Sequence, residues 1–493
     1  MISEADVYTA MESRDPRFDG WFFVAVVTTG IYCRPSCAAA MPKRENIRLF
    51  PSPAAAQTHG FRACKRCMPD AAPGSPQWNT RADLAGRAMR LIADGVIDRE
   101  GVTGLAARLG YSERQVHRQL IAEVGASPQA LARAQRAQTA RMLLETTDLP
   151  VSDVAFAAGF ASIRQFNDTV KQVYGATPTA VRAARADSSV AQTPGSISLK
   201  LAYRPPLDAT ALLNFLGAHA IPGIEEYTAE TLQRSCTLPH GPAIITLQSG
   251  RGDHIECQIR LTDLRDLTTA VQRCRRWLDL DADMQSVIAH LGADPLLGPL
   301  IRARPGRRLP AHIDAAELAI ATILGDGPAL TDLVRRHGHP LATPIGGITH
   351  TFPDVDTLSI AQLNDLDTPP PRRRTLIALI RALADGTLDL DPGADRDQVR
   401  KQLRDIPGIS PQTVAQIRMR ALGDPDIIVP DRRVRQALSM IGRVVPDDAD
   451  SEAPTRQWAP WRSYATQHLW ALHDTERHHR RYRPEQRRLR TYR

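Results

Sequence analysis

VRKQLRDIPGISPQTVAQIRMRAL, residues 399–422, carries the reading on which the largest part of the chain depends. A helix ends near Arg404, Pro407-Gly408-Ile409 makes a tight hairpin, and Ser410 with Pro411 supplies the N-cap and first position of the next helix. The stretch is a helix-hairpin-helix. Backbone amides at its tip, around Gly408 and Ser410, suit a DNA phosphate at the start of a helix. A hairpin joining two core helices has the same local pattern, and these residues alone do not separate the two.

Working outward, 493 residues are too many for one core, and about 150 residues per domain gives roughly three units. Two aperiodic stretches rich in Pro, Gly, Ala and Ser read as linkers: MPDAAPGSPQ (68–77) and ARADSSVAQTPGSIS (184–198). They divide the chain into 1–77, 78–191 and a long remainder. In that remainder ISLKLAY, PAIITLQS and HIECQIRL are short β-type runs with a helix between them, so 192–290 reads as a small α+β unit. Residues 291–475 follow as a helical region and 476–493 as a basic tail. The expected class is a multidomain, mostly α protein: a small α+β first unit, an all-α second, and an α+β subdomain with a helical helix-hairpin-helix region.

Lys and Arg number 62 against 54 Asp and Glu, a net charge of +8, which favours a polyanionic partner. Part of the excess lies in the tail RHHRRYRPEQRRLRTYR, either a solvated end or an arm on phosphates. No run approaches the ~20 apolar residues of a membrane helix, and the N-terminus lacks a signal-peptide pattern. A cytoplasmic location without membrane contact is the expectation, and there thiols stay reduced, so clustered cysteines point to metal. Cys236, Cys257 and Cys274 are scattered and read as ordinary buried residues.

TTGIYCRPSC (28–37) and FRACKRCMPD (61–70) together spell C-x3-C-x26-C-x2-C at Cys33, Cys37, Cys64 and Cys67. Two close pairs with a loop between them suit tetrahedral Zn²⁺, each pair spanning one edge of the tetrahedron. Spacing alone leaves a closed structural site and a reactive one both open. Arg34, Arg44, Arg48, Arg62, Lys65 and Arg66 surround the thiolates, an arrangement suited to receiving a phosphate backbone. With RENI (44–47), these segments resemble the N-terminal domain of the Ada family of DNA-repair and adaptive-response proteins over residues 4–72. The resemblance implies that Cys33 is a nucleophile taking a methyl group from a DNA methylphosphotriester, once and irreversibly. Four thiolates on one Zn²⁺ leave formal charge minus two, and methylation of Cys33 removes one negative charge beside DNA, so affinity rises.

The second unit holds an internal repeat. VTGLAARLGYSERQVHRQLIAEVGASP (102–128) and VSDVAFAAGFASIRQFNDTVKQVYGATP (151–178) align Leu120 with Val170, Gly125 with Gly175 and Pro128 with Pro178. Each copy reads helix, glycine turn, helix. Ser112 and Ser162 suit N-caps of the second helices, and Val116/Leu120 and Phe166/Val170 face the core. That leaves Glu113, Arg114, His117 and Arg118, and Arg164, Gln165, Asn167 and Asp168, for a major groove. Two such units joined by a long helix resemble the AraC-type regulator DNA-binding domain over residues 80–185; a plain helical bundle is the alternative. The resemblance implies two recognition helices in successive grooves of promoter DNA, and RNA polymerase as partner of a monomeric activator.

RPGRRLP (304–310), ELAIATILG (317–325), DPDIIVPDRRVRQAL (424–438) and WAPWRSYATQHLW (458–470) resemble the AlkA-type 3-methyladenine DNA glycosylases. The resemblance implies a flipped base, chemistry without a metal, and Asp431 stabilising an oxocarbenium-like sugar as the base leaves. It places Trp470 in the base pocket, with Arg462 and Tyr464 in the same block. Taken alone, Asp431 reads equally as the N-cap of RRVRQAL. The chain departs from the family pattern in three places. Gln412 and Gln416 stand where a Trp and a Tyr face the base pocket, and Gly327 stands near the position of the apolar wedge that fills the flipped nucleotide's gap. Two functions follow: a regulator and methyl acceptor fused to a working glycosylase, or one whose glycosylase-like part only binds DNA with weak or no catalysis. No PCHR-type motif occurs, so direct repair of O6-methylguanine is not expected.

Overall fold

A computed structural model describes residues 4–15, 18–67, 69, 83–184, 196–442 and 453–489. Residues 70–82 and 185–195, which hold most of the two linkers, lie outside the described residues, as do the side chains of the basic tail.

The first unit is a four-stranded sheet. Helix α1 (Glu4–Glu12) precedes β1 (Phe23–Val26), β2 (Ile31–Cys33), β3 (Ile47–Phe50), α2 (Pro53–Thr58) and β4 (Arg62–Ala63), and the strand order is β3-β1-β2-β4. Strand β1 runs antiparallel to both neighbours, whereas β2 and β4 run parallel with Ile31 opposite Arg62 and Tyr32 opposite Ala63. One step further along that register come Cys33 and Cys64, which brings the two cysteine pairs to the same end of the sheet. Phe23, Tyr32, Phe50 and Phe61 fill its inner face.

Seven helices follow: α3 (Leu84–Ala93), α4 (Val96–Leu109), α5 (Glu113–Val124), α6 (Pro128–Thr146), α7 (Val151–Ala157), α8 (Ile163–Tyr174) and α9 (Pro178–Ala183). The internal repeat is realised in both copies. Gly110 and Gly159 turn the chain at φ +75° and +85°, a region in which a side chain is strained. Ser112 and Ser162 then accept hydrogen bonds from the amides of Gln115 and Gln165 as N-caps. Val116, Leu120, Phe166 and Val170 are fully buried, as the i, i+4 pattern requires.

The third part opens on β5 (Ile197–Ala202), α10 (Ala209–Gly217), β6 (Glu225–Thr228), β7 (Thr231–Leu238), β8 (Gly241–Ser249) and β9 (His254–Leu261). The strands form an antiparallel sheet in the order β5-β9-β8-β7-β6. Then come α11 (Leu267–Trp277), α12 (Met284–Gly292), α13 (Gly298–Ala303), α14 (Ala315–Leu324), α15 (Pro328–His337), β10 (His339–Ile345), β11 (Ile348–Thr351), α16 (Val355–Ile360), α17 (Pro370–Ala384), α18 (Arg396–Asp405), α19 (Pro411–Ala421), α20 (Arg432–Met440) and α21 (Arg462–Leu489). One core gathers α14, α17, α18 and α19 around Leu376, Leu403 and Ile417; another gathers α20 and α21 around Trp458, Leu438 and Leu469.

The β10–β11 hairpin departs from the purely helical reading of this region. HPLATPI shows no apolar alternation, and its strand character comes from pairing with β11, whose Thr349 and His350 amides donate to the sequence-remote Gly223 carbonyl. A second difference concerns the units themselves. A single apolar core runs from Phe23 and Phe61 through Leu143 and Phe166 to Ile245 and Trp277, so the first two units and the five-stranded sheet share one interior.

Candidate functional site

Cys33 ends β2, Cys64 follows β4, and Cys37 and Cys67 close short turns after them; all four sulfurs lie within 4.8 Å of one another. A tetrahedron with Zn–S of about 2.3 Å has edges of about 3.8 Å, so small side-chain adjustments close it. Cys33 and Cys37 are half-buried, Cys64 and Cys67 buried. As bare thiols they settle unequally. Hydrogen bonding from Cys33 pulls Cys67 down to about 6, burial pushes Cys37 up to about 11, and its bond to Cys67, with burial, drives Cys33 upward. Four thiolates cannot coexist there without a cation, and four soft sulfur donors suit Zn²⁺.

The loop between the first two cysteines is held from within the unit. Asp19 accepts from the Ser36 amide (3.0 Å) and hydroxyl (2.6 Å) and pairs with Arg34 (3.4 Å). Arg34 is thereby half-buried, and Arg44 lies over the Tyr8 ring at 4.1 Å. Arg48, Arg62, Lys65 and Arg66 are exposed, and the Arg62 guanidinium rests against Gly175 at the end of α8. On the helix-turn-helix unit, Arg114, His117 and Arg118 of α5 and Arg164, Gln165 and Asn167 of α8 are all exposed. Glu113 accepts from Thr103 (2.6 Å), and Asp168 stands 4.0 Å from Arg164.

In the third part the hairpin tip is exposed at Pro407, Gly408 and Ser410. Gly408 has φ +87°, and a Cβ there would lie 2.0 Å from Thr375 Oγ1, so only glycine fits. Ser410 caps α19 by accepting from the Thr413 amide (3.1 Å). Asp431 is the N-cap that the local reading expects, and it also lies beside Trp470. Its Oδ1 accepts from the Val434 amide (2.7 Å) as N-cap of α20, and its Oδ2 accepts from Trp470 Nε1 (2.9 Å). Gln412 is exposed and Gln416 half-buried on α19. Gly327 is the N-cap residue of α15, and open space surrounds the position where its side chain would be. Arg462 and Tyr464 sit apart from Asp431: Arg462 forms a bidentate pair with Asp426 (2.7 and 2.9 Å) and Tyr464 donates to Asp279 (2.9 Å).

Comparison with known proteins adds the family. The family model described as the metal-binding domain of Ada matches residues 6–70, a helix-turn-helix domain model matches 105–184, and the AlkA N-terminal domain model matches 198–314. A Mycobacterium tuberculosis protein named "probable bifunctional transcriptional activator/DNA repair enzyme AlkA" is 50% identical over 474 residues, covering 94% of this chain and 95% of that one. The chain belongs to that family.

Its two ends also resemble separate proteins of Escherichia coli. The bifunctional transcriptional activator/DNA repair enzyme Ada is 34% identical over 194 residues, 38% of this chain and 53% of Ada. DNA-3-methyladenine glycosylase 2 is 27% identical over 282 residues, 55% of this chain and 95% of that enzyme. Within this AlkA-type bifunctional chain, sequence reasoning missed two residues beside the candidate sites. Asp19 lies 17 residues from Ser36 and carries no motif. Arg433 belongs to VPDRRVRQ, yet only the fold shows its Nε donating to Asp431 Oδ2 (3.1 Å) and its guanidinium 4.3 Å from the centre of the Trp470 ring.

Proposed function

We propose that this protein answers alkylation of DNA in three ways: it accepts a methyl group from methylphosphotriesters at Cys33, activates transcription through α5 and α8, and releases alkylated bases such as 3-methyladenine with Asp431. The observation that carries the reading is the four-sulfur cluster, with Cys33 and Cys37 on its half-buried side, in a unit whose Phe23, Tyr32 and Phe61 share one apolar core with Val116 and Phe166 of α5 and α8. Bound zinc would be held by Cys33, Cys37, Cys64 and Cys67 and would keep their sulfurs as thiolates at neutral pH. The Cys33 sulfur attacks the methyl carbon; an S–C bond forms, the C–O bond breaks, and its electron pair leaves on the phosphate, now an ordinary diester. Exposed Arg48, Lys65 and Arg66 attract the duplex, and loss of one thiolate charge tightens the grip. The protein then reads promoter DNA as a monomer and engages RNA polymerase, all within the cytoplasm. Zinc unit 1–77, helix-turn-helix unit 78–191 and glycosylase part 192–475 divide these tasks.

Two assays test it. Incubation with methylphosphotriester DNA gives a methyl-sized mass gain on Cys33, and a gain elsewhere or none removes that assignment. Release of free 3-methyladenine from methylated duplex, absent in Asp431→Asn, supports the glycosylase; equal release by the variant excludes Asp431.

A further inference from the structure

The carboxylate and indole of the glycosylase pocket already hold a cation. Asp431 Oδ1 is committed to the helix amide of Val434, and Oδ2 faces two donors, Trp470 Nε1 and Arg433 Nε at 3.1 Å. The guanidinium lies 4.3 Å from the Trp470 ring centre, within cation–π range. Asp431 and Trp470 are both nearly inaccessible, at 3% and 4%, whereas the Arg433 side chain is 30% exposed. Of the three, Arg433 is therefore the one that an entering base meets. A second cation, Arg420, is half-buried on α19 and donates to the Pro310 carbonyl (3.2 Å).

A guanidinium is planar, cationic and edged with N–H groups, as is a purine alkylated at a ring nitrogen. Both compete for one aromatic face and one carboxylate, and two like charges cannot share them. An uncharged base with an exocyclic carbonyl meets the opposite situation, because the part-exposed Arg433 guanidinium N–H groups can donate to it. We infer that Arg433 is a resident stand-in for a cationic base and makes this pocket favour uncharged, carbonyl-bearing damaged purines over cationic alkylated ones. The inference rests on the glycosylase reading of Asp431 given above.

The test compares wild type, Arg433→Leu, Arg433→Lys and Asp431→Asn on duplexes carrying one 7-methylguanine or one hypoxanthine. Arg433 is the second residue of α20 and the Asp431 cap remains in the first three proteins, so the helix is kept. Leucine is expected to raise the cationic-to-neutral ratio of single-turnover release by about tenfold, and lysine to hold it near wild type. An unchanged or lower ratio in Arg433→Leu overturns the inference. A second readout does not need turnover: affinity for duplexes with a cationic pyrrolidine abasic analogue against an uncharged tetrahydrofuran one. Arg433→Leu should increase preference for the pyrrolidine by about tenfold, and an equal preference overturns the inference. If neither base is released above the Asp431→Asn level, the glycosylase reading fails, while the binding ratio still decides the role of Arg433.

Discussion

At the scale of single residues, Asp431 caps α20 with one carboxylate oxygen and leaves the other to Trp470 and Arg433, so the role proposed for it can be separated from its part in stability. Asparagine keeps an oxygen for the Val434 amide and should leave stability within about 1 kcal/mol, whereas alanine removes the cap and orphans the Trp470 N–H, costing about 2 kcal/mol. Urea denaturation of both variants checks this, and equal losses would show that the cap contributes nothing. Gly408→Ala tests the hairpin in the same way. At φ +87°, with Thr375 in the way, alanine should cost about 2 kcal/mol and weaken binding to undamaged duplex in a gel-shift assay. The sequence displayed Asp431, Trp470 and Gly408 because motif and spacing carry them. It could not display Arg433 as a neighbour of Trp470, since that contact is set by the packing of α20 on α21, a helix that begins about 30 residues later.

At the scale of elements, the repeat was readable because every signal in it is local: an apolar i, i+4 pair, a serine cap, a glycine turn and a proline opening the next helix. The two recognition helices nevertheless differ in charge. Of the residues set toward the groove, α5 presents Arg114, His117 and Arg118 with one acid, Glu113, engaged by Thr103, whereas α8 presents a single arginine, Arg164, with Asp168 beside it. Anchoring on phosphate should therefore rest on α5. Arg118→Ala is expected to weaken promoter binding by about 1–3 kcal/mol, and Asp168→Ala to leave affinity unchanged or raise it while altering sequence preference. Binding titrations at fixed salt over a set of operator variants would show this, and equal losses for both substitutions would contradict it. The parallel pairing of β2 with β4 was not readable because its partners lie about 30 residues apart, and the local β10–β11 hairpin was not readable because HPLATPI carries no apolar alternation and β11 docks on the remote Gly223 carbonyl.

At the scale of the whole molecule, the reading of separate units gave way to a shared interior, and the junctions are ionic as well as apolar. Asp94, at the corner between α3 and α4, receives Arg276 (2.7 Å) and Arg273 (3.8 Å) from α11 and Arg99 (3.2 Å) from its own unit. Arg87 and Arg90 donate to the carbonyls of Gly393 and Pro392, and Arg204 donates to the Asp19 carbonyl in the first unit (2.5 Å). None of these partners is visible in a sequence, where the two ends of each bond lie up to about 300 residues apart. Asp94 sits where the helix-turn-helix unit meets the part that holds Asp431. Burial alone would raise its carboxyl, but Arg276 and Arg273 hold it below the ordinary carboxylate value. Removing it leaves three half-buried arginines uncompensated, so Asp94→Ala should cost about 2 kcal/mol. The sign of the pH dependence follows from the depressed value: a group that binds fewer protons folded than unfolded stabilises above its unfolded pKa and loses that contribution as pH falls. The gap between wild type and Asp94→Ala should therefore be full at pH 7 and close progressively from about pH 4 downward. Calorimetry across that range measures it, and if the helix-turn-helix unit and the glycosylase part melt together in wild type, Asp94→Ala should split the transition in two. A single unsplit transition with unchanged midpoint would mean that the shared apolar core alone couples the two parts, with no contribution from the charges at the junction.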